Sequence, residues 1–324
     1  MEFRPLGATG LRVSVLGLGT NAFGGRADAA TSEAILHAAI DAGVTFIDTA
    51  NGYTQGQSET ILGQALKGRR HEVILATKAG LPMGPGPNDR GSSRYHLVRE
   101  LEKSLRRLQT DYVDVFWVHT FDPGTPLEET LRALDDLVRA GKVRYVGASN
   151  YRAWELAKAL GISDRYGFVR YQAVQPSYSL ADRTPEQELI PLCRDQGLGL
   201  VAYFPLAGGI LSGKYRPEAP PPSGSRADKD PNFARRLDRA RLELAQGLAE
   251  VARELSATPA QVALAWLYGR PGMTSAIAGA TRVEQLKENL GSLEVRIPPE
   301  AAARLEALSA PFVYGPPFAE FRLT

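Results

Sequence analysis

The chain has 324 residues, of which 44% are hydrophobic, and its 38 basic and 36 acidic side chains leave a formal net charge of +2. This length buries a sizeable core, either as two domains or as one large α/β barrel. The balanced charge, with no block of like charges, argues against nucleic acid or a membrane surface as the main partner.

The expected compartment is the cytoplasm. Met1 to Pro5 carries no apolar signal core, and no run approaches the roughly 20 apolar residues of a membrane span. The single cysteine, Cys193, excludes an intramolecular disulfide and fits a reducing environment. We therefore expect a soluble cytoplasmic protein, and we predict no metal site.

Strand and helix patterns alternate along the chain after a β-hairpin predicted within residues 3–15. The predicted strands are 15–19, 45–48, 73–78, 113–119, 143–147, 173–175, 199–203 and 275–277. The predicted helices are 31–42, 58–67, 94–108, 127–140, 154–160, 185–196, 259–267 and 283–290, with an extra helix at 298–308. Eight strand-helix units are the number that an α/β fold of the (β/α)8 TIM barrel type requires.

Three predicted helix starts share one pattern, a threonine followed by proline and then Glu or Gln three residues after the threonine. The threonines are Thr125, Thr184 and Thr258. We expect each to be the N-cap of a capping box, with proline at the first helical position.

One low-complexity stretch, 217–225, interrupts the alternation after the seventh predicted strand. Its Pro, Ser and Gly residues cannot form a core, so it is either a domain linker or a mobile excursion at the barrel mouth. Because the alternation resumes afterwards, we favour a single barrel domain over 1–324 with a lid excursion at 205–234. The aromatic tail at 310–324 is expected to pack on the barrel mouth or on another subunit.

Four polar residues lie at or just after the ends of consecutive predicted strands: Asp48, Tyr53, Lys78 and His119. Each alone has an ordinary interpretation, as a helix cap, a surface tyrosine, a rim lysine or a structural histidine. In a barrel, however, the carboxyl ends of the strands converge on one face, where active sites lie. Lys78 is also the cation that a buried Asp48 needs.

These side chains suit proton transfer to a carbonyl oxygen. A phenol has an ordinary pKa of about 10, and a neighbouring ammonium stabilises its phenolate form. Asp48 would hold Lys78, His119 would donate a hydrogen bond to the carbonyl oxygen, and Tyr53 would protonate it. The set lacks a nucleophile, which indicates that a cofactor supplies hydride.

The sequence resembles the aldo-keto reductases. The matching motifs are Phe46 to Ala50 with Tyr53 and Ser58-Glu59, Ala76 to Lys78, Trp117 to His119, Gly147 to Asn150, Gln175 to Ser179, and Gly279 to Arg282 with Glu288-Asn289. The resemblance implies NADPH-dependent reduction of a small aldehyde or ketone by a tetrad of Asp48, Tyr53, Lys78 and His119. It also implies that Ser149, Asn150 and Gln175 hold the nicotinamide carboxamide and that Tyr203 stacks on the ring.

The resemblance assigns the rest of the cofactor to two further segments. Pro205 and Leu206 through Gly213 and Lys214 would close over the pyrophosphate. Arg282, at the start of the last barrel helix, would pair a 2′-phosphate, with its neighbours holding the adenosine end: Gly279, Thr281, Gln285, Glu288 and Asn289.

The sequence departs from many family members at Gly279-Ala280, where they carry Lys-Ser, and at Gln285, where they carry Arg. This pattern is similar to the branch that contains bacterial general-stress and aryl-alcohol-type reductases and potassium-channel β-subunits. NADPH is therefore the expected cofactor, with NADH use possible. The presence of His119 resembles carbonyl reducers and differs from steroid double-bond reducers.

A loose dinucleotide fingerprint at residues 17–22 also follows a predicted strand. A Rossmann phosphate turn must open directly into a helix, and residues 23–26 interrupt it. We expect instead that Thr20 and Asn21 touch the cofactor ribose and that Phe23 lines the substrate pocket with Phe121.

Two other functions stay open at this stage. A strand-end lysine in a barrel is also compatible with a Schiff-base aldolase that uses Lys78. A redox-sensing module that binds NADPH with little turnover is the other alternative. The sequence does not identify a particular substrate, reaction direction or oligomeric state.

Overall fold

A computed structural model describes residues 1–216 and 219–323. The predicted hairpin is present as β1 and β2, and eight parallel strands then close into a barrel, so the predicted (β/α)8 fold is confirmed. The strands are β1 Phe3–Pro5, β2 Arg12–Ser14, β3 Leu16–Gly19, β4 Phe46–Asp48, β5 Ile74–Ala79, β6 Val113–Val118, β7 Val143–Ser149, β8 Ala173–Gln175, β9 Gly199–Ala202 and β10 Met273–Gly279. Neighbouring barrel strands follow chain order, and β10 pairs with both β9 and β3.

Helices surround the barrel and separate its strands. They are α1 Ala29–Asp41, α2 Gln57–Ala65, α3 Arg94–Leu108, α4 Leu127–Arg139, α5 Ala153–Tyr166, α6 Leu189–Gln196, α7 Arg226–Lys229, α8 Pro231–Ala234, α9 Arg239–Glu254, α10 Pro259–Tyr268, α11 Val283–Gly291 and α12 Pro299–Ser309. In the part of the chain that the structure describes, no helix is both long and apolar enough to cross a membrane.

The three predicted helix caps have different outcomes. Thr258 caps α10 in a full capping box with Gln261, as predicted. The prediction is wrong for Thr125 and Thr184, because both hydroxyls donate to aspartates, Asp122 and Asp182, and neither caps a helix. Helix α4 begins at Leu127, as predicted, with Pro126 and not Thr125 at its N-cap position.

The interrupted stretch after β9 contains more regular structure than the sequence indicated. A 3-10 helix spans Ala207–Ser212, and the short helices α7 and α8 lie in the second half of the predicted excursion. Helix α9, of 16 residues, was missed altogether. Pro217 and Glu218, which begin the predicted low-complexity stretch, lie outside the described residues.

The barrel interior below the site is filled by apolar side chains, which include Phe46, Val115 and Trp117, and the hairpin residue Leu6 belongs to the same cluster. Trp117 lies against Gly147, since a Cβ atom added at Gly147 would come within 2.2 Å of the indole ring. The interior is therefore a packed core that closes the barrel beneath the strand ends.

The end of the chain returns to the barrel mouth after α12. The backbone N–H of Phe318 donates to Asp182 at 2.8 Å, and Thr120 Oγ1 donates to the carbonyl of Phe321 at 2.6 Å. Arg322 pairs with Glu155 at 2.8 Å. These contacts place the aromatic tail on the mouth, one of the two positions expected for it.

Candidate active site

Lys78 is the centre of the polar group at the strand ends. Its ammonium pairs with Asp48, donates to the carbonyl of Thr49 at 2.9 Å and lies 3.2 Å from the phenolic oxygen of Tyr53. Asp48 ends β4 and Lys78 lies near the end of the neighbouring β5, and the parallel pairing of these strands brings both side chains to one face. The cation that Asp48 was expected to need is present.

The charges of Lys78 and Asp48 oppose the effect that burial has on each group. Burial acts to lower the pKa of Lys78, but the charges of Asp48 and Tyr53 and their hydrogen bonds outweigh it, so the pKa is raised. Burial raises the pKa of Asp48, against the opposing effects of Lys78 and of Gln175, whose Nε2 donates to Asp48 at 3.0 Å. Lys78 therefore stays an ammonium at neutral pH.

Tyr53 lies just after β4, at the start of a short 3-10 turn over Tyr53–Gly56. Its ring also faces the ammonium of Lys78, which lies 5.0 Å from the ring centroid. Burial raises the pKa of the phenol, and the charge of Lys78 only partly offsets that effect. The sequence led us to expect mainly the effect of Lys78; the structure adds desolvation, which keeps Tyr53 protonated.

His119 lies directly after β6, and its ring is 6.2 Å from the ring of Tyr53 in an edge-on arrangement. Burial and the nearby charge of Lys78 hold the pKa of His119 well below its usual range. Its buried Nδ1 has no hydrogen-bond partner among the described residues. A neutral imidazole suits a hydrogen-bond donor to a carbonyl oxygen better than a proton source.

The residues expected to hold the nicotinamide carboxamide lie together beside the tetrad. Ser149 Oγ donates to the carbonyl of Gln175, and Asn150 Nδ2 donates to the carbonyl of His119 at 2.8 Å. Asn150 adopts a left-handed backbone (φ 56°), and its Oδ1 accepts from Tyr203 at 2.6 Å. The last residues of β7 and β8 and the first residues after β7 and β9 thus bring these side chains together, with Gln175 against Asp48.

The segment expected to hold pyrophosphate follows β9. Pro205 is buried and Leu206 half-buried, and Gly213 adopts a left-handed backbone before the exposed Lys214. Gly208 and Gly209 are also left-handed (φ 65° and 104°). Successive backbone amides in such conformations form anion-binding concavities, and Lys214 Nζ lies close to Gly209.

Two arginines at this segment were missed by sequence reasoning. Arg226 lies beside Gly208 and over the ring of Phe233, 4.6 Å from its centroid. Partial burial, then the charge of Arg226, lower the pKa of Arg26. Because a guanidinium pairs well with phosphate oxygens, Arg226 beside the left-handed Gly208 fits a phosphate group. Nothing in the sequence around either residue marks these two arginines, which are 200 positions apart.

The residues expected to hold the adenosine end lie at the end of β10, between β10 and α11, and within α11. Arg282 is exposed at the N-cap position and makes no side-chain cap, which leaves first-turn N–H groups for an anion. Gln285 Oε1 accepts from the backbone and hydroxyl of Thr281 at 2.8 and 2.9 Å. Gly279 is exposed at the end of β10, Glu288 is half-buried and Asn289 is buried in α11.

The other expected contacts are more dispersed. Thr20 is buried, and its hydroxyl donates to the carbonyl of Asp48 at 3.1 Å, whereas Asn21 is exposed near Gly279. Phe23 is fully buried in the core, while the half-buried Phe121 packs edge-on against Tyr151.

Phe321 of the tail, which was not assigned to the site, lies 6.4 Å from the ring of His119 and 6.2 Å from that of Tyr203. The tail also approaches the phenol of Tyr203 directly, since the carbonyl oxygen of Ala319 lies 3.3 Å from the Tyr203 hydroxyl. The structure therefore adds an aromatic ring from the far end of the chain to the surroundings of the tetrad.

Comparison with known proteins gives a family match and several similar proteins. Residues 15–310 match the aldo/keto reductase family. The chain is 41% identical to an uncharacterized oxidoreductase, YrpG, of Bacillus subtilis, with 93% of each chain covered. It is 39% identical to a probable voltage-gated potassium channel subunit beta of Oryza sativa, with 95% of this chain and 96% of that protein covered.

The L-glyceraldehyde 3-phosphate reductase of Escherichia coli is 37% identical, with 90% of this chain and 88% of that protein covered. Both the family match and these identities extend over nearly the whole barrel. The chain therefore belongs to the aldo/keto reductase family and is an oxidoreductase.

Proposed function

We propose that this protein reduces aldehydes or ketones to alcohols with NADPH, with Tyr53 as the general acid. The observation that carries the proposal is the ammonium of Lys78, which pairs with Asp48 and lies 3.2 Å from the phenolic oxygen of Tyr53. This geometry joins a proton donor to a fixed positive charge at the mouth of a barrel, where active sites of this fold lie.

In the proposed mechanism NADPH supplies the hydride that reaches the carbonyl carbon. Tyr53 gives its proton to the carbonyl oxygen, and the ammonium of Lys78 stabilises the phenolate that remains. Neutral His119 donates a hydrogen bond that orients the carbonyl. Asp48 holds Lys78 in place and does not exchange a proton with the substrate.

The cofactor would extend from the tetrad to α11. Ser149, Asn150 and Gln175 would hold the carboxamide beside Tyr203. The left-handed glycines after β9, with Arg226 and Lys214 beside them, supply the positive potential that a pyrophosphate needs. The exposed Arg282 at the N-terminus of α11 favours a 2′-phosphate and therefore NADPH over NADH.

The alternatives receive less support. An aldolase needs a neutral lysine amine, whereas the pKa of Lys78 is raised and its ammonium has three oxygen partners. A sensor with little turnover would not need Tyr53, Lys78 and His119 around one point.

We propose residues 1–324 as one barrel domain, with 205–234 as the segment that closes over the cofactor.

The direct test is a panel of aliphatic and aromatic aldehydes and ketones, with oxidation of NADPH and of NADH followed by absorbance. We expect carbonyl-dependent oxidation, faster with NADPH. Tight binding of NADPH without turnover across the panel would favour the sensor. A mass increase on Lys78 after treatment with carbonyl and borohydride, without NADPH oxidation, would favour the aldolase.

Replacement Arg282→Ala tests the choice of cofactor. A guanidinium that pairs a phosphate contributes about 1.5–3 kcal/mol through charged hydrogen bonds, so we expect NADPH binding to weaken by about tenfold or more. NADH binding should change by about twofold or less, because it lacks the 2′-phosphate. Titration of intrinsic fluorescence with each cofactor measures both constants, and equal losses would remove Arg282 from this role.

A further inference from the structure

The turn that carries Tyr53 is strained. Thr54, Gln55 and Gly56 follow each other in the left-handed region, with φ of 48°, 56° and 88°. The left-handed region is unfavourable for residues other than glycine, and a β-branched threonine is a rare occupant. Such a turn persists only where its surroundings hold it. The neighbours of this turn therefore decide where the phenol of Tyr53 lies.

One support comes from Arg107 near the end of α3. Its side chain packs against Gly56, because a Cβ atom at Gly56 would lie 3.0 Å from Cδ and Nε of Arg107. The same Nε donates to Glu59 Oε2 at 2.7 Å. Glu59 belongs to α2, the helix that follows the turn, and its side chain is fully buried while that of Arg107 is 23% exposed.

The other carboxylate oxygen of Glu59 points towards the barrel. Thr77 Oγ1 donates to Glu59 Oε1 at 2.5 Å, and Thr77 is fully buried on β5, directly before Lys78. One buried carboxylate thus joins the turn of Tyr53, through Arg107 and α2, to the strand of Lys78. The two residues whose separation matters most for proton transfer lie at the two ends of this connection.

We propose that Glu59 is a positioning residue for the reaction, which holds the strained turn against β5 so that the phenol of Tyr53 stays within reach of Lys78. Glu59 itself touches neither of them. This inference rests on the proposed function of Tyr53. It distinguishes Glu59 from a carboxylate that only stabilises the fold, because the geometry it controls includes the distance between Tyr53 and Lys78.

Two replacements test the connection. Glu59→Gln removes the charge that holds Arg107, and Thr77→Val removes the hydroxyl at nearly constant volume. Thr77→Ser keeps a hydroxyl at this position and is the control for Thr77→Val. A shift of about 1 Å in a reacting group costs up to about 100-fold in rate. We expect kcat for carbonyl reduction to fall by about 10–100-fold in the first two variants and to recover in Thr77→Ser, with NADPH dissociation constants within about twofold.

A readout that does not need turnover is the titration of Tyr53 itself, followed by the ring carbon signals of ¹³C-tyrosine in the protein without cofactor. The signal of Tyr53, one of 12 tyrosines, is identified by its loss in Tyr53→Phe. As Tyr53 moves away from Lys78, less positive charge stabilises its phenolate. We therefore expect the titration to move to higher pH in Glu59→Gln and Thr77→Val.

Asp114→Asn is the matched control. Asp114 pairs with Arg70 at 2.8 Å and accepts from the backbone N–H of Leu75 at the same distance, near the starts of β5 and β6. The Asp114→Asn replacement should lower thermal stability without a change in kcat or in the Tyr53 titration. If Glu59→Gln and Thr77→Val behave like this control, the positioning role is overturned. If Tyr53→Phe stays active, the proposed function fails, and the titration alone still decides whether Glu59 sets the position of Tyr53.

Discussion

Replacement Tyr53→Phe is expected to lower kcat for carbonyl reduction by about 10²–10⁴-fold, the range that a general acid contributes. The ring and its packing near Lys78 remain, so the NADPH dissociation constant should stay within about threefold, as expected for a group that acts mainly in the transition state. Steady-state rates and fluorescence titration measure the two quantities.

Tyr171→Phe is the matched control for this prediction. Tyr171 is fully buried, and its hydroxyl lies 3.3 Å from that of Tyr151, within the core cluster. Its removal should leave kcat unchanged within about twofold, because it contributes no proton to the reaction. A Tyr53→Phe variant as active as Tyr171→Phe would contradict the assignment of Tyr53.

The same assignment predicts the pH dependence of the wild-type rate. The acid must be protonated, and burial raises the pKa of Tyr53 above its ordinary value of 10.0. The rate of the reductive step should therefore hold through neutral pH and fall only above about pH 10. A single-turnover rate that fell between about pH 7 and about pH 9 would argue against a phenol as the proton source.

The second large effect is on stability. Lys78→Met leaves Asp48 buried without its cation, and the loss of one partner of a buried ion pair costs about 3–5 kcal/mol of unfolding free energy. In this variant the pKa of Asp48 in the folded protein rises further above its value in the unfolded chain. Because the folded state retains the proton, this variant should be most stable at low pH and should lose stability as the pH rises through the folded pKa.

The double replacement Asp48→Asn with Lys78→Met removes both charges and provides the control. Gln175 Nε2, which now donates to Asp48 Oδ1, has an amide oxygen as a partner in the double variant. We expect urea unfolding at neutral pH to show recovery of most of the loss, with carbonyl reduction still lost. Equal stability of Lys78→Met and the wild type would mean that the buried pair contributes little to the fold.

Local patterns in the sequence were sufficient to predict the barrel. The alternation of apolar strands and amphipathic helices predicted all eight barrel strands, and the limits of α3 and β8 agree with the structure. Thr258 was identified as a cap because the whole capping box lies within four residues. These features depend on neighbours in sequence, so the residues themselves carry the information.

Features that depend on distant partners could not be predicted in this way. Competition between close neighbours was missed as well: Thr125 and Thr184 have the same pattern as Thr258, but aspartates three and two residues before them accept from their hydroxyls. Burial, and after it the charge of Arg226, lower the pKa of Arg26, although the two arginines are about 200 positions apart in sequence. The aromatic tail reaches His119 through Phe321, a contact between residues about 200 positions apart.

By itself, the sequence determined the barrel and the four polar residues at its strand ends, because strand periodicity and residue type are local properties. It also determined that Lys78 was the natural partner of Asp48. Only the tertiary structure decided how these groups behave. Burial raises the pKa of Tyr53 and lowers that of His119, and the strained turn after Tyr53 depends on Arg107 and Glu59. Desolvation and long-range contacts are properties of the folded chain, so no local pattern contains them.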